Sequence, residues 1–317
     1  MRLPNQQGKS MELEAKIEKS IAVLQTAATI SKDWYGEPLI IAYSGGKDSD
    51  VMLHLALDAG IDFEVVYSTT TVDAPQTMAH ISRVFRMLEE RGIKTRRTKP
   101  VYKGKPVNMF SLIERKGIPP TRLIRYCCSV FKEASTPRRI TAVGVREAES
   151  RNRRGRSDFS VRGRMKTDYK YFDLNHVQEA FKDAKTHDPV WDCTIVAAAR
   201  KKKNLIVSPI YHWEDVDVWA FIQGRGIPYN SLYDMGYSRV GCILCPLARK
   251  AEKAMYEQNF PWMKENYIKA FDRMLERRKA TGKKHDDTWA DGEAVYRWWV
   301  EDDTIPGQMR LDLGGDK

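Results

Sequence analysis

A short apolar run, a glycine-rich hexapeptide and an amphipathic run follow one another early in the chain. The run LIIAY at 39–43 predicts a buried strand, and DVMLHLALDAG at 50–60 has the period of a helix that ends at Gly60. Between them lies SGGKDS at 44–49. A glycine loop between a strand and a helix turns backbone N–H groups and the positive end of the helix dipole toward one point. The pattern therefore predicts a sheet-and-helix architecture with an anion site at this loop.

The same alternation of strand and helix continues along the chain. FEVVYST at 63–69 predicts a second strand, and the next helix is expected to begin near Pro75. ITAVGV at 140–145 and LIVSPI at 205–210 predict further strands, separated by helical or loop material. This order predicts an α/β fold with a mainly parallel, twisted sheet that carries helices on both faces.

The two ends of the chain predict helices only. Residues 11–30 have apolar side chains at helical spacing, and the region after Cys245 has helical periodicity without a strand pattern. Trp298 and Trp299 in that region are expected to be packing residues rather than a platform for bases. We therefore expect three parts: an N-terminal helix at 1–35, an α/β domain with the loop at 36–246, and a helical C-terminal region with a loosely structured tail at 247–317.

The chain is basic, with 53 Lys and Arg against 42 Asp and Glu and a net charge of +11. Eleven basic and four acidic residues lie between Arg138 and Lys170, so this segment alone has a charge of +7. Arginine binds phosphate oxygens bidentately, and a local excess of it favours a polyanion such as nucleic acid. A solvated, arginine-rich loop is the alternative, and the sequence leaves both open. The basic residues are Arg138, Arg139, Arg146, Arg151, Arg153, Arg154, Arg156, Arg162, Arg164, Lys166 and Lys170.

The cysteines and the start of the chain indicate the compartment. No apolar run approaches the roughly 18 residues of a membrane span, and residues 1–20 lack the apolar core of a signal peptide. We therefore expect a cytoplasmic protein without a membrane partner. Five cysteines, an odd number, argue against a disulfide framework and are expected to bind a metal or to react; they are Cys127, Cys128, Cys193, Cys242 and Cys245.

The hexapeptide at 44–49 contains the groups that a phosphate site needs. Two glycines allow close approach of phosphate oxygens, and Lys47 adds a positive charge. The hydroxyls of Ser44 and Ser49 can donate, and Asp48 can help to hold Mg²⁺. The loop is neither a Walker A motif nor a GxGxxG motif, because neither spacing is present.

Four segments, in the same order and over roughly 200 residues, resemble one known family. SGGKDS is similar to the SGGxDS pyrophosphate loop (PP-loop) of the N-type ATP pyrophosphatases and of the adenylyl-sulfate (APS) and phosphoadenylyl-sulfate (PAPS) reductases. RYCCSVFKE at 125–133 resembles the tandem-cysteine segment of the iron–sulfur reductases, and GVREAESRNR at 144–153 resembles their arginine-containing substrate loop. The segment SPIYHW…GCILCP at 208–246 resembles their closing region.

The resemblance implies an adenine nucleotide α-hydrolase-like fold that binds ATP, or PAPS or APS, together with Mg²⁺. It implies that Lys47, Asp48 and Asp73 take part in catalysis, with Lys47 and the loop amides stabilising a leaving pyrophosphate. The implied nucleotide-binding residues are Ser44, Gly45, Gly46, Lys47, Asp48, Ser49, Arg146 and Arg151.

The cysteine pattern CC…CxxC supplies four thiolates at Cys127, Cys128, Cys242 and Cys245. Spacing alone leaves a [4Fe–4S] cluster and tetrahedral zinc open. The resemblance favours the [4Fe–4S] cluster, because the APS reductases and the DNA phosphorothioation protein DndC carry an iron–sulfur cluster. Cys193 lies outside these segments and is expected to be an ordinary buried thiol, or to replace Cys127 in a DndC-like ligand set.

The resemblance departs from the reductases after Cys245, because no cysteine follows in the printed sequence and the reductases use a C-terminal cysteine as nucleophile. We therefore expect an ATP pyrophosphatase that adenylates an acceptor during sulfur transfer, as DndC resemblance suggests. A PAPS or APS reductase that releases sulfite is the first alternative, and a non-catalytic regulator that binds nucleotide or DNA is the second. A sulfur-donor protein is a possible partner, whereas the acceptor and the oligomeric state stay open.

Overall fold

The computed structural model describes residues 6–134, 136, 138–150, 153–162, 169–186, 194–281 and 289–301. The chain forms two compact units. The first contains residues 1–68, 75–98 and 135–240, and the second contains residues 69–74, 99–134 and 241–317. These units do not follow the divisions at 35 and 246 expected from the sequence, because the chain leaves the first unit and returns to it twice before residue 241.

Strands and helices alternate through the first two thirds of the chain, and helices follow. The strands are β1 Leu39–Tyr43, β2 Phe63–Tyr67, β3 Thr95–Arg97, β4 Val101–Tyr102, β5 Lys105–Pro106, β6 Ile140–Ala142, β7 Phe159–Arg162, β8 Tyr169–Phe172 and β9 Leu205–Val207. The α-helices are α1 Gln6–Ile30, α2 Lys47–Asp58, α3 Pro75–Glu90, α4 Met109–Lys116, α5 Tyr126–Cys128, α6 Leu174–Thr186, α7 Thr194–Arg200, α8 Asp215–Gly224, α9 Lys250–Asn259, α10 Pro261–Ala280 and α11 Gly292–Glu301. None of the described helices is both long and apolar enough to cross a membrane.

The first unit is built on a sheet with the strand order β3-β2-β1-β6-β9-β7-β8. The five strands from β3 to β9 pair in parallel, whereas β7 is antiparallel to both of its neighbours. All five residues of β2 and four of the five in β1 are buried, as in parallel strands that are covered on both faces. The prediction of an α/β fold with a mainly parallel sheet is confirmed.

The core of the first unit lies between this sheet and its helices. Helices α1, α2 and α8 contact one another, and α2 also contacts β1. Their apolar faces fill the core because their buried residues recur at helical spacing. Fully buried members include Leu24, Val51, Leu55, Ile81, Val218 and Phe221.

The second unit is largely helical. Helix α10 packs against α4 and α11, and the rings of Phe110 and Tyr267 meet edge to face at 5.4 Å between centroids. Trp299 is buried, and its indole N–H donates to the carbonyl oxygen of Pro120 at 2.6 Å. Trp298 contacts the ring of Trp289. The prediction that the two adjacent tryptophans are packing residues is therefore confirmed.

The predicted strands are all observed, with differences at their ends, but five further strands among the described residues were not predicted. Strand β1 has the predicted bounds and α3 begins at Pro75, whereas β6 and β9 are three residues long instead of six. Strands β3, β4, β5, β7 and β8 have only two to four residues each, which is too short for a clear strand pattern in the sequence. The predicted loose tail, 304–317, lies outside the described residues.

Candidate functional site

The SGGKDS loop lies at the carboxyl end of β1, beside the carboxyl end of β6. From β1 the chain continues through β2 to β3 on one side of the sheet, and it later adds β6 on the other side of β1. The direction in which strands are added to the sheet therefore reverses between β1 and β6. Open α/β sheets bind ligands outside the carboxyl ends of the strands at such a point. The loop therefore occupies the position in the first unit where a ligand site is expected.

Three glycines in or near the loop differ in how much room they leave for a side chain. Gly45 has a φ of +73°, and a Cβ there would lie 2.9 Å from Cγ1 of Ile81. Gly46 has a φ of −100° and is the N-cap of α2, and a Cβ there would lie 3.4 Å from the Tyr233 hydroxyl oxygen. Gly144 follows β6 and leaves little room for a side chain, because a Cβ there would lie 3.1 Å from the backbone of Asp48. The loop and the segment after β6 thus approach each other at backbone distance.

The hydroxyl of Ser49 holds the loop together. Its oxygen accepts hydrogen bonds from the backbone N–H groups of Ser44 at 3.3 Å and Gly46 at 3.2 Å. It donates to the carbonyl oxygen of Gly46 at 2.7 Å. Because its one proton is used inside the loop, Ser49 stabilises the loop itself in this structure, whereas Ser44 is exposed.

Asn230 and Tyr233, in the segment that follows α8, form hydrogen bonds that hold the loop in place. The buried Asn230 donates from Nδ2 to the carbonyl oxygen of Gly45 and to Oγ1 of Thr77, both at 3.0 Å. The hydroxyl of Tyr233 accepts the backbone N–H of Lys47 at 3.0 Å, so a tyrosine oxygen stands at the N-terminus of α2. Both residues belong to the segment 208–246 that resembles the reductases, but no feature of that segment distinguished them.

Four charged side chains meet in front of the loop. Arg146 is 2% exposed and donates to Asp48 at 2.6 Å and to Asp215 at 2.5 Å. Lys47 is also buried, and its Nζ lies 3.5 Å from Asp48 and 3.3 Å from Asp215. Lys47, Asp48 and Arg146 were predicted as site residues and are brought together. Asp215 was missed, although it lies in the segment 208–246.

The two carboxylates of this group have opposite pKa shifts. Burial raises the pKa of Asp48 above 3.8, although Arg146 and Lys47 act to lower it. Burial also acts to raise the pKa of Asp215, but Lys47 and Arg146 outweigh it and the pKa lies below 3.8. The difference follows from exposure, because the side chain of Asp215 is 67% exposed and that of Asp48 only 18%.

A buried polar group lies behind the loop, on the first turn of α2. Asp50 accepts the hydroxyl proton of Tyr43 at 2.5 Å, and His80 Nε2 lies 3.0 Å from Asp50 Oδ1. All three residues are 2% exposed. Because buried polar groups are costly unless they are paired, this group fixes α2 relative to β1 and α3.

The predicted cysteine ligands lie in the second unit, and Asp73 lies with them. An isolated antiparallel bridge pairs Asp73 with Cys242, and the N–H of Ile243 donates to the carbonyl oxygen of Val72 at 2.8 Å. The carboxylate of Asp73 accepts the hydroxyl of Thr70 at 2.7 Å. Asp73, predicted as a catalytic residue, thus lies in the segment whose backbone pairs with that of Cys242.

The four thiols influence one another. A hydrogen bond between Cys127 and Cys128 lowers the pKa of Cys128 to about 6 and raises that of Cys127, and Cys242 and Cys245 also raise the pKa of Cys127. Burial raises the pKa of Cys242 to about 11, while the nearby Lys132 acts to lower it. The unit therefore holds four interacting thiols and a cation that compensates negative charge.

The chemistry of this donor set fits a [4Fe–4S] cluster. It consists of four sulfur ligands on two segments of one unit, as a cubane cluster requires. Within the described ranges, no group of three or more His, Cys, Asp or Glu side chains lies close enough together to hold a metal ion. The thiols would have to close around the metal, so the cluster assignment stays a prediction.

Some of the basic residues between Arg138 and Lys170 have acidic partners. Arg139 pairs with Glu37 and Glu64, and Arg153 pairs with Glu149, so part of the charge is compensated. The exposed members are Arg138, Arg154, Arg156 and Lys170. The predicted ligand Arg151 and the thiol Cys193 lie outside the described residues, as do Arg164 and Lys166.

Comparison with known proteins places the chain among sulfonucleotide reductase domains. It is 28% identical over 248 residues to the uncharacterised protein MJ0066 of Methanocaldococcus jannaschii, which covers 74% of this chain and 42% of that protein. It is 24% identical over 286 residues to MJ0973 of the same organism, with 90% and 57% covered. The chain thus spans about half the length of these two relatives. It is also 23% identical over 216 residues to the adenosine 5'-phosphosulfate reductase of Geobacillus kaustophilus, with 67% and 74% covered.

Solved structures are similar to the chain at low identity. The phosphoadenylyl-sulfate reductase of Candida auris shares 14% identity at a TM-score of 0.42, with 76% of this chain and 97% of that chain covered. The U34-tRNA thiolase NcsA of Methanococcus maripaludis, with its [4Fe–4S] cluster, shares 12% identity at a TM-score of 0.41, with 96% and 86% covered. These scores are too low to carry an argument. The phosphoadenosine phosphosulfate reductase domain model matches residues 38–248, about two thirds of the chain. The chain therefore belongs to the phosphoadenosine phosphosulfate reductase domain family.

Proposed function

We propose that the chain is an enzyme that binds ATP at the loop 44–49 and cleaves its α–β phosphoanhydride, transferring adenylate to an acceptor as a step of sulfur transfer. The observation that carries the proposal is the pair of buried cations, Lys47 and Arg146, at the N-terminus of α2. Anions are favoured at this end of a helix, and buried cations strengthen the preference. The chain contains both a loop of the nucleotide-binding type and four interacting thiols, and this combination supports a role in sulfur chemistry.

The charged group explains how a polyphosphate can enter. Lys47 and Arg146 are held by Asp215, whose side chain is 67% exposed. An entering phosphate can replace this exposed carboxylate as the partner of both cations, so no buried cation is left unpaired during the exchange. Asp48 would remain with Arg146 and keep the guanidinium in place. Charge that develops on pyrophosphate as it leaves would then be stabilised by Lys47 and by the loop amides.

The partners that Asp48 already has restrict how it could bind Mg²⁺. Oδ1 of Asp48 accepts from Arg146, and Oδ2 faces Lys47. A magnesium ion bound by Asp48 would therefore share the carboxylate with these two cations. When bound, Mg²⁺ neutralises the phosphate chain, and the proposed [4Fe–4S] cluster supplies an iron centre for sulfur or electron transfer. Free thiols in this number suit the reducing cytoplasm, which we propose as the compartment.

Sulfonucleotide reduction is the second candidate, favoured by the relatives that are named APS reductases. It requires a nucleophilic thiol that attacks the substrate sulfur. Four of the five cysteines of this sequence are assigned here to the cluster, which leaves Cys193 or a thiol of a partner. The same site would then hold PAPS or APS instead of ATP.

One anaerobic experiment separates the candidates. The protein is incubated with ATP, and in parallel with PAPS or APS and a thiol reductant, and the products AMP, pyrophosphate and sulfite are measured. We expect AMP and pyrophosphate from ATP, because water can accept the adenylate when no other acceptor is supplied, and a roughly ten- to hundred-fold loss of this activity in Lys47→Ala because one charged contact in a partly desolvated site is removed. Lys103→Ala, at an exposed lysine of the β4–β5 turn, is the matched control. Sulfite release without pyrophosphate would establish the reductase, and neither product would contradict both candidates.

A further inference from the structure

Strands β7 and β8 form an antiparallel pair at the edge of the sheet, and the two faces of this pair differ. Phe159 lies opposite Phe172 in the pairing register, and Phe159 is buried in the core while Phe172 packs against it. Ser160 lies opposite Tyr171 on the other face. Side chains alternate between the faces of a strand, so Tyr169 shares the face of Tyr171.

The two tyrosines form a stacked pair on this face. Their ring centroids are 6.3 Å apart and their planes differ by 21°. Both residues remain partly exposed, although Val161 on the opposite face is only 3% exposed. The sheet therefore ends in a strand that presents two nearly parallel aromatic rings to its surroundings.

One arginine lies beside the pair. The guanidinium carbon of Arg156 lies 5.9 Å from the ring centroid of Tyr171, and the side chain of Arg156 is exposed. The backbone here is held firmly, because the N–H of Arg156 donates to the Tyr211 hydroxyl at 3.0 Å, and that hydroxyl donates to the carbonyl oxygen of Arg153 at 2.6 Å. The backbone that carries Arg156 is thus fixed near the rings.

We propose that this surface, defined by Tyr169, Tyr171 and Arg156, binds single-stranded nucleic acid. Aromatic rings that are partly exposed stack on unpaired bases, and arginines beside them contact the phosphates. A duplex cannot use the rings in this way, since its base faces are stacked inside the helix. The chemistry is shared by RNA and DNA, and the 2′-hydroxyl decides between them.

One segment connects this surface with the nucleotide site. Residue Arg146, which holds Asp48 and Asp215, begins a stretch that reaches Arg156 ten positions later, and Glu149 accepts both the backbone N–H of Arg146 and the side chain of Arg153. The binding surface itself does not depend on the proposed function.

The test is fluorescence anisotropy with labelled 12-nucleotide RNA and DNA of one sequence, as single strands and as duplexes, without ATP. We expect tighter binding of single strands, and a loss of at least about fivefold in affinity in each of Tyr169→Ala and Tyr171→Ala. Tyr169→Phe and Tyr171→Phe keep the rings and are expected to bind like the unmodified protein. Tyr102→Ala, which removes a tyrosine beside lysines in the second unit, is the matched control.

Charge is tested separately from stacking. Arg156→Gln should flatten the dependence of log affinity on log salt by about 0.7, the value for one lost phosphate contact. Equal binding of duplex and single strand, or Phe variants as weak as the Ala variants, would overturn the proposal. Undetectable binding of oligonucleotide at low salt would also overturn it and would leave an acidic protein as the partner of this surface. Release of AMP and pyrophosphate from ATP by the tyrosine variants, measured without nucleic acid, reports separately on the proposed function.

Discussion

Nε of Arg146 donates to Oδ1 of Asp48 at 2.6 Å, which joins the segment after β6 to the first turn of α2 across 98 positions of the chain. Both partners lie at the point where the sheet changes direction. The ion pair keeps the guanidinium in front of the loop and gives the buried carboxylate a partner. The geometry of the charged group in front of the loop and the stability of the first unit therefore depend on the same contact.

Arg146→Gln should lower the free energy of unfolding by about 3–5 kcal/mol, because it leaves a largely buried carboxylate without its strongest partner. Urea denaturation measures the change. Arg225→Gln is the matched control, since Arg225 pairs with Asp58 where both side chains are more than a third exposed, and it should cost at most about 1 kcal/mol. Equal losses in the two variants would show that the Arg146 pair contributes no more than a surface pair.

The two carboxylates should give opposite pH dependences of stability. The pKa of Asp215 is lower in the folded chain than its usual 3.8, so its contribution is complete above that value and is lost as the pH falls. The pKa of Asp48 is raised, so stability falls as the pH rises from 3.8 toward the folded value. Asp215→Asn should weaken the acid-side loss, and Asp48→Asn should remove the fall above 3.8. Denaturation curves between about pH 3 and 7 measure both slopes; slopes of the same sign would contradict this assignment.

The two loop glycines should separate folding from binding. Gly45→Ala forces a side chain into a positive φ and toward Ile81, and we expect a loss of roughly 1–3 kcal/mol in the free energy of unfolding. Gly46 has an ordinary φ, so Gly46→Ala should change stability by less than about 1 kcal/mol while weakening ATP binding about tenfold, because a methyl group meets the phosphates. Calorimetric titration with ATP, beside thermal unfolding, tests this. Unchanged affinity in a folded Gly46→Ala protein would remove the loop from the phosphate site.

Anaerobically purified protein should be brown, with an absorption shoulder near about 400 nm and close to four irons per chain, because four thiolates suit one cubane cluster. Cys242→Ser and Cys245→Ser should each abolish the colour, whereas Cys193→Ser should retain it. Circular dichroism checks that the variants fold. One stoichiometric zinc in a colourless protein would contradict the cluster, and loss of iron in Cys193→Ser would make Cys193 a ligand.

The sequence by itself determined the class of fold and the position of the loop. The run at 39–43 is apolar and the run at 63–67 is apolar except for Glu64, because parallel strands are buried on both faces, and this pattern is local in the chain. The same holds for α3, whose start at Pro75 follows from the fixed φ of proline. The SGGKDS motif could be assigned to a strand–helix turn because strand, glycine loop and helix are adjacent in sequence.

Only the tertiary structure decided which residues complete the site. Asp215, Asn230 and Tyr233 lie about 170 to 190 positions after the loop, and no local pattern distinguishes a carboxylate that holds Lys47 from one that faces water. The same limit applies to the arginines between 138 and 170, since their ion pairs depend on partners brought near by folding. Residue type and spacing determine which chemistry is available. The partner, the burial and the pKa of each side chain depend on long-range packing, which exists only once the strands have assembled into the sheet.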